Sequence, residues 1–252
     1  MTNDQLINKF PFFYNSIAKK FNYATRQSNF LEIGKKQFDE KIYIKVNYKG
    51  YPKFKKIKLP KPIKINKFHN LMMNRYSKRD YTGKRISLKE LSTVIYYSAG
   101  LRRRNYPDIG NRFYPSAGSR YPIELYPIVL QCENISPGIY HYHLKTHSLE
   151  FLWTYPDLEN RVFNNIKQPE FKTASVMFAL TAVTSRSELK YGPRGYRYVY
   201  MEAGHVSQNF YLAAAGLNLG CCSVGGFLDD GIDRLLNIDG FIEHTLLMLS
   251  FG

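Results

Sequence analysis

The sequence predicts an α+β fold in which helices flank one central sheet. Three observations carry this expectation. Ser175 to Val183 is a nearly continuous apolar run, short and partly β-branched, as in a strand buried on both faces. Tyr198 to Leu217 carries apolar or small residues at helical spacing and ends at Gly220, as in a long buried helix. Strands and helices intermix without the regular βαβ repeat of a doubly wound sheet.

The 252 residues suffice for one domain with an N-terminal extension. Residues 1–66 form the expected extension, with strand-like alternation from Lys41 to Tyr48 and then Gly50, Pro52, Pro60 and Pro62 as punctuation. The net charge is +16, and residues 1–70 supply +12 of it from 16 Lys+Arg against 4 Asp+Glu. Three readings of that basicity stay open: Lys-rich composition, docking of an acidic peptide or partner subunit, and, least favoured, nucleic acid.

At about residue 67 the character changes, and residues 67–252 are read as the main domain. Phe68 to Tyr76 is helical in character. Ser87 with Glu90 forms a capping box, and Leu91, Val94, Ile95 and Ser98 continue one face until Gly100, which predicts a helix over 88–99. Tyr121 to Leu130 is strand-like, and Gly138 to His143 with Leu149 to Thr154 predicts a hairpin around Lys145, Thr146 and His147. Asp229 is placed to cap a short helix through Leu236, and Leu246 to Phe251 closes the chain as a strand.

Several classes are set aside by absence of pattern. No run approaches the roughly 18 to 20 apolar residues of a spanning helix, and no signal peptide is evident, so the expected location is cytoplasmic. Cys132, Cys221 and Cys222 read as buried thiols of a reducing compartment. His141, His143 and His147 lack a second ligand cluster, so they read as surface histidines of a hairpin and no metal site is expected.

Four short constellations can carry chemistry. Arg75, Ser77 and Arg79 alternate, so two guanidinium forks and a hydroxyl can reach one phosphate, although a solvated basic face has the same pattern. Pro115, Ser116, Ala117, Gly118 and Ser119 form a small-residue turn that lets backbone approach a flat ligand, or else a rigid surface turn. Lys190 and Tyr191 stand in a loop dense in Gly, Pro and Arg after the buried strand, where either side chain can move a proton. Gly225 and Gly226 again allow close backbone contact, or make a simple turn.

In this order and spacing the four pieces resemble the nitroreductase family. The wording Tyr114 to Glu124, followed by Lys190-Tyr191 and Arg194-Gly195-Tyr196-Arg197, resembles its SagB-type branch, the azoline dehydrogenases of thiazole/oxazole peptide biosynthesis. The resemblance covers roughly residues 70–252 and includes Met201 to His205 and Gln208-Asn209. It implies a mixed sheet flanked by helices and a homodimer with FMN at the interface. Arg75, Ser77 and Arg79 would hold the phosphate and flavin edge, Pro115 to Ser119 would contact the flavin across the interface, Asn209 would join the cofactor site, and Gly225 and Gly226 would lie near the reactive edge. Lys190 and Tyr191 match the catalytic pair.

The implied activity is oxidation of thiazoline or oxazoline rings in a peptide to azoles, with a cyclodehydratase complex as a further partner. Many family members place basic residues beyond the last strand to clamp the phosphate, whereas this sequence ends at Phe251-Gly252. Arg194 or Arg197 is the expected substitute, unless both pair with Glu202 or Glu188. Two other readings stand beside the dehydrogenase: an NAD(P)H-dependent nitro or quinone reductase on the same fold, and a non-catalytic subunit of a peptide-modifying complex.

Overall fold

The computed structural model of the protein describes residues 49–61, 68–83, 85–102 and 111–252. Seven strands form one sheet: β1 (Lys56–Lys58), β2 (Ile123–Val129), β3 (Gly138–His143), β4 (Ser148–Trp153), β5 (Val176–Ala182), β6 (Cys221–Val224) and β7 (His244–Phe251). Their spatial order is β1-β4-β3-β2-β5-β7-β6. The strand pairings are antiparallel, and the parallel element is an isolated bridge between Ile86 and Cys132.

The apolar run over 175–183 becomes β5, with β2 and β7 on its two sides and every residue buried. Val176, Phe178 and Leu180 face one core, while Met177 and Ala179 face the other. Burial on both faces explains why the run lacks polar alternation.

Helices α1 (Phe68–Asn74), α2 (Leu88–Ala99), α3 (Leu158–Phe163), α4 (Ser185–Tyr191), α5 (Gly195–Gly216) and α6 (Asp229–Leu235) flank this sheet. The start of α2 is set by the foreseen capping box: the Ser87 hydroxyl accepts the Glu90 N–H at 3.2 Å, and the Glu90 carboxylate accepts the Ser87 N–H at 2.7 Å. Its end comes at Gly100, whose N–H donates to the Tyr96 carbonyl. Leu91, Val94 and Ile95 of α2 pack with Val199, Val206 and Phe210 of α5 against one sheet face. On the other face Val162 and Phe163 of α3 and Ile232 and Leu235 of α6 cover Tyr126, Ile128, Met177 and Met248.

Two expectations need correction, and one strand was not expected. Asp229 does not cap α6; Leu228 holds that position without a side-chain bond, and Asp229 is the first helical residue. His141 and His147 are buried, not surface residues, because neighbouring carboxylates and hydroxyls take up their ring nitrogens. Strand β1 was not foreseen, since Lys56-Ile57-Lys58 is too short to show a period; it pairs with β4 and brings part of the basic extension onto the sheet. The strand expected over 41–48 lies outside the described residues.

The three cysteines are free and buried, as expected. Burial pushes the Cys132 thiol up to about 12, so it stays protonated and unreactive. No helix among the described residues is long and apolar enough to cross a membrane.

Candidate active site

Two groups of predicted residues flank α5. The first begins in the segment between α1 and α2. The Lys78 N–H donates to the Cys221 carbonyl at 3.1 Å and pins that segment beside β6. The Ser77 hydroxyl lies 3.2 Å from the Tyr211 hydroxyl, and the Arg75 guanidinium sits over the Tyr211 ring, 5.5 Å from its centroid. Tyr211 in turn accepts the Ser223 N–H at 2.7 Å, while the Ser207 and Ser223 hydroxyls lie 2.8 Å apart. Arg79 is exposed and, among the described residues, reaches the Ser77 carbonyl at 3.5 Å. Among the described residues no carboxylate pairs with Arg75 or Arg79.

Gly225 and Gly226 follow Val224, the last residue of β6 and the neighbour of Ser223, so the glycine pair leaves the strand beside this cationic cradle. A Cβ on Gly225 would meet open space, whereas one on Gly226 would press on the Gln168 amide. The Gln168 Oε1 is itself buried without a hydrogen-bond partner among the described residues. Asn209 spends its amide on the Phe113 carbonyl at 3.4 Å, tying α5 to the chain that leads into the 115–119 turn.

The second group is that turn and the end of α4. Ala117–Ser119 make one 3-10 turn, with Gly118 at φ 56 and Ser119 at φ 55. A Cβ on Gly118 would lie 2.5 Å from the Tyr191 hydroxyl and 2.7 Å from the Lys190 amine, so both polar heads meet over a left-handed position that favours glycine. Gly192, also at φ 56, closes α4 just beyond them. Burial raises the Tyr191 phenol above its ordinary value, and its ring stands edge-on to Tyr198 at 4.9 Å. Tyr191 therefore stays protonated near neutrality and is a hydrogen-bond donor.

Buried ionic groups that the sequence reading did not assign to the site support this turn from behind. Ser116 accepts the Tyr121 N–H at 2.8 Å and donates to Glu202, which is 2% exposed. Burial pushes the Glu202 carboxyl up to about 7, against the pull of Ser116, Arg112 and Arg186. Arg112 lies over the Tyr121 ring and donates to the Tyr114 hydroxyl at 2.7 Å. Arg186 holds both the Tyr121 carbonyl, at 3.1 Å, and Glu124, at 2.6 Å. From Glu124 a fully buried chain continues through His141, at 3.2 Å, to Glu150, at 3.0 Å. The available signal was Glu124 itself, a charge between Ile123 and Leu125 in a strand that otherwise reads as buried.

Arg194 and Arg197 stand elsewhere. Arg194 donates to Tyr198 at 3.1 Å, at the start of α5, and Glu202 takes its opposite charges from Arg112 and Arg186. Along the helix they lie roughly 20–25 Å from Tyr211, so within one protomer neither reaches the cradle of Arg75.

The residues fit a flavin mononucleotide. Cations without a carboxylate partner among the described residues, beside a hydroxyl, suit its phosphate, open backbone at Gly225 suits a planar ring, and the polar heads over Gly118 suit a reacting substrate.

A family model described as the nitroreductase family matches residues 72–252. The protein MJ1384 of Methanocaldococcus jannaschii, whose name places it among nitroreductases, is 34% identical over 196 residues, covering 78% of this chain and 95% of its own. The microcin B17-processing protein McbC of Escherichia coli is 30% identical over 58% of this chain, and the match spans 56% of McbC. The trifolitoxin-processing protein TfxB of Rhizobium leguminosarum is also 30% identical, over 61% of this chain and 41% of its own. Among solved structures, a nitroreductase-named protein of Anabaena variabilis matches with a TM-score of 0.68 at 26% identity, over 80% of this chain and 42% of its own. The E. coli microcin synthetase McbBCD complex, with truncated pro-MccB17 bound, matches with a TM-score of 0.62 at 21% identity, over 94% of this chain and 91% of the matched one.

Proposed function

This chain belongs to the nitroreductase family, and from that premise we propose that it is a cytoplasmic FMN-dependent dehydrogenase that oxidises peptide azolines to azoles. The observation that carries this reading is the meeting of Lys190 and Tyr191 over Gly118. Similarity to two peptide-processing proteins supports the substrate class. Bound FMN would supply the hydride acceptor.

The chain's own residues then have separable tasks. Arg75, Arg79 and the Ser77 hydroxyl hold the phosphate, with Tyr211 orienting Arg75 and Ser77 from below. Gly225 and Gly226 bring backbone to the ring, and Pro115 to Ser119 line the opposite wall. Tyr191, kept neutral by burial, donates a hydrogen bond to a ring heteroatom of the azoline. Lys190 takes the proton from the ring carbon next to the one that gives up hydride. Loss of both C–H bonds creates the second ring double bond, and aromaticity drives the step.

A homodimer completes the site in this reading. Met201, Gly204, His205 and Gln208 form an exposed row along α5, at the spacing of one helix face. A second copy packed there can bring its own 115–119 turn, and its Arg194 or Arg197, toward the cradle of Arg75. Association with a cyclodehydratase complex is the further partnership, suggested by the structural likeness to a chain of the McbBCD complex.

The test is the visible spectrum of the purified protein together with the mass of an azoline-containing peptide after incubation. Flavin absorbance and loss of two hydrogens per ring, without NAD(P)H, is the expected result. Lys190→Ala combined with Tyr191→Phe is expected to abolish azole formation while flavin stays bound, and azole formation by that variant would remove the catalytic assignment. The second reading, a nitro or quinone reductase, is favoured by the name of the M. jannaschii relative. It predicts NAD(P)H consumption with quinones and intact azolines.

A further inference from the structure

Away from the flavin site, β1 ends the sheet and pairs only with β4 among the described strands. The Lys55 carbonyl accepts the Phe151 N–H and the Leu59 N–H donates to the His147 carbonyl. By antiparallel alternation the N–H and C=O groups of Lys56 and Lys58 point outward, and no described strand takes them up. Beside this edge lies a cavity of about 750 Å³. Ile57, Ile135, Tyr140 and Phe151 give it an apolar floor, while Lys55, Lys56 and Arg85 give it a basic rim. Among the described residues its lining holds no carboxylate.

These features have a common consequence. An open strand edge can recruit another extended chain, because a second backbone offers a matching row of N–H and C=O groups in register. A chain added there presents alternate side chains to the two faces, so apolar residues can enter the cavity while acidic ones meet the rim. Lys56 already has a partner in Glu150, at 3.6 Å, but Lys55 and Arg85 have no acidic partner among the described residues. Cys132 in the wall remains a neutral thiol, so the floor offers packing and not covalent capture.

We propose that the outer edge of β1 and its adjoining cavity bind an acidic, partly apolar segment of the peptide substrate as an added strand, apart from the ring being oxidised. The peptide nature of the occupant rests on the function proposed above. The site would hold the substrate by a segment remote from the chemistry, lowering KM without entering the chemical step.

The experiment measures binding of a fluorescent alternating Glu–Leu peptide to the full chain, so it reads the site whether or not azolines are oxidised. Lys55→Glu combined with Arg85→Glu is expected to weaken binding by about a hundredfold through charge reversal, with the melting temperature unchanged because both side chains are exposed. The same peptide N-methylated at alternate residues is expected to bind about tenfold more weakly, since it cannot pair along the edge. Equal affinity of the N-methylated peptide, or of polyglutamate without apolar residues, would overturn strand addition. Tighter binding of single-stranded DNA, lost in the same double variant, would reassign the patch to nucleic acid and overturn the proposal. If azoline turnover is present, the double variant should raise KM for an acidic peptide and leave kcat on a small free azoline unchanged. Absence of turnover with intact peptide binding would sink the enzymatic reading alone.

Discussion

The cations near Arg75 and those near Arg186 are placed under opposite rules. Arg186 is largely buried and bonded to Glu124, which passes its second oxygen to His141, and His141 passes on to Glu150. Arg75 and Arg79 meet an aromatic ring, a hydroxyl and a carbonyl, but no carboxylate among the described residues. A buried charge is tolerated only when paired, whereas a cation kept unpaired at the surface retains its attraction for an incoming anion. The contrast separates residues that maintain the fold from residues available to a ligand.

The strongest test of that separation is Glu124→Ala, which leaves Arg186 without its carboxylate in the interior and His141 with Glu150 alone. It should cost about 3–5 kcal/mol in urea denaturation. A loss below about 1 kcal/mol would mean that the network is not a structural unit. Arg75→Ala should do the reverse: stability of the flavin-free protein unchanged, and FMN affinity down by roughly 30- to 100-fold in a fluorescence titration, as expected for losing a charge-assisted bond to phosphate. Equal flavin affinity would move the phosphate elsewhere.

Acidity sharpens the comparison further. Despite burial, Arg186 and His141 hold the Glu124 carboxyl far below its ordinary range, and His141 and the Tyr51 N–H lower Glu150. The stability these carboxylates contribute is present above the usual glutamate range and disappears as pH falls through their low folded values. Against its burial, the two carboxylates raise His141, whose contribution is present below its ordinary value of 6.5 and is lost as pH rises through the raised value. Glu202 has the opposite sign to the other glutamates. Burial pushes it from 4.5 up to about 7, so the folded state keeps a proton that the unfolded state releases, and Glu202 lowers stability as pH rises between those values. Glu202→Gln should therefore stabilise the protein at pH 8 by about 1–3 kcal/mol and flatten the pH profile of its melting temperature between about 5 and 7. An unchanged profile would show that Glu202 is ionised in the fold.

The smallest effect concerns the turn. Gly118→Ala forces a side chain into a left-handed residue and against Lys190 and Tyr191, at about 1–2 kcal/mol in stability. Turnover should fall more than melting temperature, because the two polar heads must separate. Proportionate loss of both would reduce the turn to scaffold.

Much of this was legible beforehand because the signals are local. The Ser87 and Glu90 box, the two-sided β5 run and the hairpin around His147 each depend on residues within a few positions of one another. The meeting of Lys190 with Gly118 was not legible, since 72 positions separate them and only the packing of α4 and α5 beside the turn brings them together. The histidines were misplaced for the same reason. His141 occupies a strand position that alternation alone reads as either face, and its partners Glu124 and Glu150 lie on neighbouring strands.

What the sequence alone determined was periodicity, capping and motif order, hence the α+β class and a set of candidate site residues. Tertiary structure decided which charges are buried and paired, which remain open, and which end of α5 each arginine occupies. The physical reason is that pattern reports how a residue faces its own element, while burial and charge pairing depend on what another element brings to that face.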